Sequence, residues 1–114
     1  MLPSESTRLR AYEDEQGRSP YDKWFMKLAA VAAAKVTVAL TRLEQGHWSN
    51  VRSVGAGVHE LKVDHGPGYR VYFGKDGHLM IILVGGGTKK RQKADINAAK
   101  LRWAEYKARK RKNK

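Results

Sequence analysis

The first half of the chain carries apolar residues at the three- and four-residue intervals of α-helices. Ser19-Pro20 is typical of an N-cap followed by the first helical position, and Asp22 suits the first turn. The Ala-rich segment 29–45 contains no Gly or Pro, and one stripe runs along it through Leu28, Ala32, Val36, Leu40 and Leu43. These segments predict either a hairpin of two helices or one bent helix. A first strand is predicted before them, at 7–12.

After residue 57 the apolar period changes to two, as in β-strands. The segment before it, 47–57, is rich in Gly, Ser and Asn and predicts a loop. An antiparallel meander of three strands is predicted next, with turns at 65–68 and at Asp76-Gly77. The strands lie at 58–64, 69–73 and 79–84, and the last is apolar enough to be covered on both faces.

Three glycines, 85–87, are predicted to end the last strand, and a final helix is predicted from Gln92 to about Ala108. Helices segregated from an antiparallel sheet define the α+β class. We therefore expect one domain over 1–106, followed by a basic C-terminal tail over 107–114.

The net charge of +12 is concentrated at one end of the 114-residue chain. Residues 1–88 hold 11 basic and 9 acidic side chains, whereas residues 89–114 hold 12 basic and 2 acidic ones. This imbalance favours a polyanionic partner. The tail is either a solubilising segment or an arm that contacts phosphates.

Several classes of protein are excluded by what the sequence lacks. There is no cysteine and no apolar run near the roughly 20 residues that span a bilayer. The first five residues do not resemble a secretory signal. No pair of the four histidines has the helical spacing of a zinc site, so we expect no metal. We also expect no cofactor, no membrane partner and a cytoplasmic location.

Three sequence blocks resemble the RelE/ParE superfamily of toxins from type II toxin–antitoxin modules, and most closely its HigB-like addiction module killer branch. The blocks are Gly57-Val-His-Glu-Leu-Lys-Val-Asp64, Gly66-Pro-Gly-Tyr-Arg-Val-Tyr-Phe73, and Val84-Gly-Gly-Gly-Thr-Lys89 followed by Gln92, Asp95 and Ile96. The resemblance covers about residues 7–106 and includes the order of elements. The basic end beyond Tyr106 lies outside it.

The resemblance implies a toxin that cleaves mRNA in the ribosomal A site without a metal, through the ribose 2′-OH. It also implies a partner, an antitoxin that often carries a helix-turn-helix domain. We expect an acidic segment of that antitoxin to bind the C-terminal helix or the basic face of the sheet. The ParE branch has the same fold and poisons DNA gyrase instead.

Cleavage through the 2′-OH needs a base, a positive group for the phosphorane and an acid. Strand alternation places Lys62 on one face of its strand, and Arg70 and Tyr72 on one face of the next. If the apolar residues face the helices, these three share an open basic face. By resemblance, Arg70 contacts the scissile phosphate and Lys62 serves in electrostatics or as the base.

A third cation, Lys89, follows the glycines at the mouth of the last helix, where relatives place a catalytic or phosphate-binding group. The glycines either form an anion site at a helix N-terminus or only turn the chain. The candidates for the acid that protonates the leaving oxygen are Asp95 and Tyr106. Asp95 could instead be an orienting group. Further RNA contacts are predicted from Lys90, Tyr72, His65 and Lys93.

Three functions therefore remain open: a ribosome-dependent mRNA endonuclease, a gyrase-poisoning toxin, and a non-catalytic nucleic-acid-binding module that uses the basic tail. The endonuclease interpretation requires outward-pointing cations that meet at one spot. A buried Arg70 guanidinium, or one far from the ammonium groups of Lys62 and Lys89, would end it.

Overall fold

A computed structural model describes residues 7–113, and residues 1–6 and Lys114 lie outside the described part. One five-stranded sheet has the order β1-β5-β4-β3-β2, in which β1 runs parallel to β5 and the other neighbours are antiparallel. The strands are β1 (Arg8–Ala11), β2 (Val51–Gly55), β3 (Val58–Val63), β4 (Tyr69–Asp76) and β5 (Met80–Thr88); the helices are α1 (Pro20–Met26), α2 (Ala30–Glu44) and α3 (Gln92–Lys112). The predicted α+β class is confirmed.

The first face of the sheet is covered by α1 and α2, which are separate helices. The Ser19 side chain caps α1 by accepting a hydrogen bond from the Asp22 backbone N–H at 3.1 Å. The predicted stripe of α2 is buried through Ala32, Val36, Leu40 and Leu43. It belongs to a core that includes Leu61, Val71, Phe73, Ile81 and Leu83 from the strands.

The second face of the sheet, predicted to be open, is covered in large part by α3. Ala99 and Trp103 of α3 pack with Val58, Tyr72 and Ile82 in a second core cluster. The indole of Trp103 lies directly over Gly74, where a β-carbon would come within 2.4 Å of the ring. A glycine at this position therefore lets the helix approach the sheet.

The predicted loop at 47–57 is wrong, because residues 51–55 form β2 and pair with β3. Gly55, Ala56 and Gly57 make the connecting turn with positive φ angles of 97°, 56° and 81°. A bulge between Ser53 and Gly55 shifts the register. Val51 and Val54 belong to different cores, because residues three apart on a strand point to opposite faces of the sheet. The bulge hides the alternation that identifies a strand.

The predicted end of the last strand is also wrong, since Gly85, Gly86 and Gly87 continue β5 as far as Thr88. A β-carbon on Gly86 would lie 2.3 Å from the Trp24 ring, so the glycines allow side chains from both layers to contact the strand. The final helix extends to Lys112, about one turn beyond the predicted end. Residues 107–112 thus continue α3 instead of forming a separate arm.

None of the helices within residues 7–113 is long and apolar enough to cross a membrane.

Candidate functional site

A groove of about 490 Å³ lies where β2, β3 and β4 meet the start of α3. The bulged β2 supplies one wall and the first residue of α3 supplies part of the other. Its lining residues are Ser49, Asn50, Val51, Arg52, Glu60, Lys62, Arg70 and Gln92. Three of these are cationic and one is acidic, so the groove has a net positive charge.

Glu60 organises the floor of this groove. Its carboxylate is buried and accepts hydrogen bonds from Arg52 Nε and from Gln92 Nε2, both at 2.8 Å. Burial alone would raise the pKa of Glu60, but the hydrogen bonds from Arg52 and Gln92 outweigh it and hold the pKa below its ordinary value. Glu60 is therefore ionised at neutral pH and fixes two groove side chains in place.

Arg70 lies beside Glu60 and is only 6% exposed. Its Nε is 3.8 Å from Glu60 Oε2, and neither Nε nor Nη1 has a hydrogen-bond partner among the described residues. Buried guanidinium donors are normally satisfied, so these two leave part of the hydrogen-bonding capacity of Arg70 unused. Because Arg70 lines the groove, a small shift of its side chain would let the guanidinium bind an anion there.

The prediction that Arg70 and Tyr72 share an open face with Lys62 is wrong. Tyr72 is completely buried, and burial together with the neighbouring Glu60 charge raises the pKa of its hydroxyl above the ordinary range. The physical reason is α3, which packs over this face of β4. Tyr72 therefore has no surface to offer an RNA, and Arg70 is reached only through the groove.

Lys62 behaves as predicted in one respect. It is the register partner of Arg70 across β3 and β4, and it lines the same groove. Its side chain is 54% exposed and lies 3.8 Å from Asp64. Lys62 therefore lies at the rim of the groove, and Arg70 lies at its floor.

Lys89 and Lys90 do not join this groove. They form a 3₁₀ turn, Lys89–Arg91, between β5 and α3, and both side chains are exposed. The backbone N–H of Lys89 donates to the Gly68 carbonyl at 3.3 Å. The glycines do not lie at the helix N-terminus, because they continue β5 and the 3₁₀ turn separates them from α3. An anion site at this turn stays a prediction.

Lys93 borders a neighbouring depression that continues from the groove. This depression shares Arg52 and Gln92 with the groove and is also lined by Val54, Ile96, Asn97 and Lys100. The predicted contact residue Lys93 therefore lies on the same basic surface as Arg52.

The remaining predicted residues lie elsewhere. His65 packs its ring on Tyr69, 6.4 Å between centroids, on the side of Trp24. Asp95 packs against Gly87, and burial raises the pKa of its carboxyl despite the charges of Arg91 and Arg102.

Tyr106 lies at the far end of β4, where its hydroxyl donates to Asp76 at 2.5 Å. It is therefore remote from Arg70, which is the second residue of β4.

Sequence reasoning missed Arg52 and Lys100. Arg52 was hidden because the bulge in β2 obscured a strand, although the Gly-Ala-Gly turn at 55–57 is a hairpin signal. Lys100 carries no local signal, and only the packing of α3 beside β2 brings it to the depression. The described residues contain no group of three or more His, Asp or Glu side chains that could hold a metal ion.

Residues 23–107, most of the chain, match the family described as phage derived protein Gp49-like (DUF891). The chain belongs to the Gp49-like family. It is also similar to an uncharacterized protein of Haemophilus influenzae (strain Rd), with 40% identity over 82 residues that cover 71% of this chain and 83% of the relative. The Gp49-like family is an addiction-module toxin family with a RelE/ParE-like fold, which agrees with the predicted superfamily. The HigB-like branch stays a prediction.

Proposed function

We propose that this Gp49-like chain is the toxin of a type II toxin–antitoxin module and that its groove holds a phosphate of mRNA. The observation that carries the proposal is Arg70, a buried guanidinium with two unpartnered nitrogens at the floor of an accessible groove. Arg52 and Lys62 add two further cations at the wall and rim. Arginine presents its donors in a planar fork that matches phosphate oxygens.

The chemistry we propose is cleavage through the 2′-OH, without a metal. A fixed guanidinium in a partly desolvated site stabilises the charge of a phosphorane better than a mobile one in water. Arg70 and Arg52 have this role in the proposal. The 2′-oxygen attacks phosphorus while its proton passes to Lys62 or to water, the P–O5′ bond breaks, and water in the groove protonates the departing 5′-oxygen. Lys89 has no part in it, because its side chain does not line the groove.

The endonuclease interpretation made from the sequence required three outward-pointing cations at one spot, and this requirement is not met. Arg70 is buried and Lys89 does not line the groove, so the present proposal rests on the groove instead. Phosphate binding is supported by the geometry of the groove, whereas cleavage, the mRNA substrate and the ribosome are supported by membership of a toxin family. The antitoxin partner and the cytoplasmic location belong to the same proposal.

The proposal is tested by inducing the chain in bacteria and mapping the 5′ ends of cellular mRNA. We expect growth arrest with breaks inside translated codons. K62Q changes an exposed side chain, whereas R52Q also removes a hydrogen bond to the buried Glu60, so the folding of both variants is checked by circular dichroism. Each is expected to reduce cleavage about 100-fold, as loss of a transition-state donor does. R70K keeps the charge but loses the fork, and we expect a comparable loss.

Arg8 supplies the matched control, because it is exposed on β1, at the opposite edge of the sheet from β2. R8Q is expected to cleave like the natural chain. Undiminished cleavage by R52Q, K62Q and R70K together would exclude the groove as the site. Growth arrest without mRNA breaks would exclude the endonuclease activity itself.

A second function, gyrase poisoning, is favoured by one observation. The outer face of α2 exposes two valines, Val31 at 61% and Val38 at 49%, next to Lys35. Gyrase poisoning predicts that toxicity depends on residues of an exposed helical face and not on residues of the sheet. DNA double-strand breaks with intact mRNA, abolished by V31S/V38S and unaffected by R52Q, would support it.

A further inference from the structure

Four cations lie on one face of α3 along most of its length. Lys93, Lys100 and Lys107 are seven residues apart, and Arg111 follows one turn later. Since seven residues are close to two helical turns, these side chains point in nearly the same direction. We call these four residues the α3 basic stripe.

No acidic side chain of α3 neutralises this stripe. Asp95 packs against Gly87 of β5. Glu105 accepts hydrogen bonds from Tyr12 and from Arg109, on the side of the helix that faces the end of β1. The acidic side chains of α3 therefore leave the stripe uncompensated. At its far end, Asp76 of β4 lines the same cleft as Lys107 and Arg111, where its carboxylate is engaged by Lys110 and Tyr106.

The stripe begins at the proposed phosphate site. Lys93 and Lys100 line the depression that shares Arg52 and Gln92 with the groove. Lys107 and Arg111 line a separate cleft near Trp103, and Lys107 Nζ lies 5.7 Å from the centroid of that ring. Eighteen residues of helix separate the two ends, a distance of about 27 Å.

The composition of the stripe favours a polyanion over an acidic helix. Between its cations the same face carries Asn97, Ala104 and Trp103, and Trp103 is only 4% exposed. An amphipathic acidic helix needs apolar area for its other half, and this face has little. A phosphate backbone needs only spaced cations, whose binding releases counterions.

We infer that an RNA strand leaves the groove and follows the α3 basic stripe to the C-terminal end of the helix. This inference rests on the proposed function, since the groove must hold the first phosphate. The stripe has room for at most about eight stacked nucleotides. Its last member, Arg111, lies beyond the residues that match the family, so the far end of the track is a feature of this chain.

The experiment measures binding of single-stranded 2′-O-methyl RNA, which cannot be cleaved through the 2′-OH. Oligonucleotides of about 4 and about 12 nucleotides are compared, the shorter filling the groove and the longer also reaching the stripe. The test variant is K107Q/R111Q at the far end. The matched control is K27Q/K35Q, which removes the same charge from exposed positions near and on α2.

We expect K107Q/R111Q to bind the longer RNA about tenfold more weakly at physiological salt and the shorter RNA normally. Two lost contacts at an exponent of about 0.7 each give this factor, and they lower the slope of log K against log salt by about 1.4. The control is expected to leave both affinities unchanged within about twofold.

Equal losses in the two double variants, or no loss in K107Q/R111Q, would overturn the inference. So would a loss that is the same for both RNA lengths. Failure of the proposed function has a different signature, namely a short RNA whose binding is insensitive to R52Q and K62Q. The two ideas are therefore separated by which oligonucleotide responds.

Discussion

The variant E60Q tests whether the charge of Glu60 holds the groove together. The substitution keeps the shape of the side chain but removes the negative charge beside Arg70. The Arg70 guanidinium then remains buried with no counter-charge. Both the free energy of unfolding and its pH dependence are expected to change.

The magnitude follows from the geometry of the pair. Removing one partner of a buried ion pair costs about 3–5 kcal/mol. Arg70 Nε and Glu60 Oε2 are 3.8 Å apart, and the side chain of Arg52 is 62% exposed, so part of the interaction is screened. We therefore expect a loss of about 2–3 kcal/mol at neutral pH, which corresponds to a melting temperature lower by roughly 10 °C.

The lowered pKa of Glu60 fixes the direction in which the stability difference changes with pH. Because the pKa of Glu60 is lowered in the folded chain, its charge contributes stability above the unfolded pKa, and that contribution is lost as pH falls through the folded pKa. The natural chain then approaches E60Q, whose side chain does not titrate. The gap between the two unfolding curves is expected to narrow as pH falls below the ordinary pKa of a glutamate and through the lowered pKa of Glu60.

Urea unfolding followed by circular dichroism at several pH values measures this gap. Glu15 provides the control, since it is exposed in the loop before α1 and E15Q should unfold like the natural chain. A gap below about 0.5 kcal/mol at neutral pH, or one that stays constant with pH, would refute the assigned role of Glu60.

Two further predictions concern the layers that hold α3 and β5 in place. G86A places a methyl group 2.3 Å from the Trp24 ring, so we expect a loss of about 1–3 kcal/mol in thermal unfolding, reduced in the double variant G86A/W24L. Y12F removes the 2.6 Å hydrogen bond to Glu105, with an expected loss of about 1.5 kcal/mol. Burial, together with Glu105, raises the pKa of Tyr12 to about 12. The contribution of Tyr12 to stability is therefore fully present below the ordinary tyrosine pKa and is lost as pH rises through about 12. A Y12F deficit that persists at high pH, or a G86A chain as stable as the natural one, would contradict these assignments.

Local patterns determined much of the fold. The Ser19 cap, the buried stripe of α2 and the turn at Asp76-Gly77 all occur where the sequence predicts them. Each depends on neighbours within a few residues, because periodicity and capping are properties of a single element. The α+β class was accessible for the same reason, whereas the toxin superfamily was identified from the resemblance of three sequence blocks.

Tertiary packing decided whether the second face of the sheet is open or covered. Alternation places Lys62, Arg70 and Tyr72 on one face but does not say what covers that face. In the structure α3 covers it, since Trp103 fits over Gly74, and this buries Arg70 and Tyr72 while Lys62 stays exposed.

The groove itself is also a tertiary feature. Arg52 reaches Glu60 only because a bulged β2 pairs with β3, and Gln92 reaches it only because α3 begins there. The sequence by itself determined the elements and their charges, whereas packing between distant segments selected which charges meet. The physical reason is that burial depends on long-range contacts, which no local period encodes.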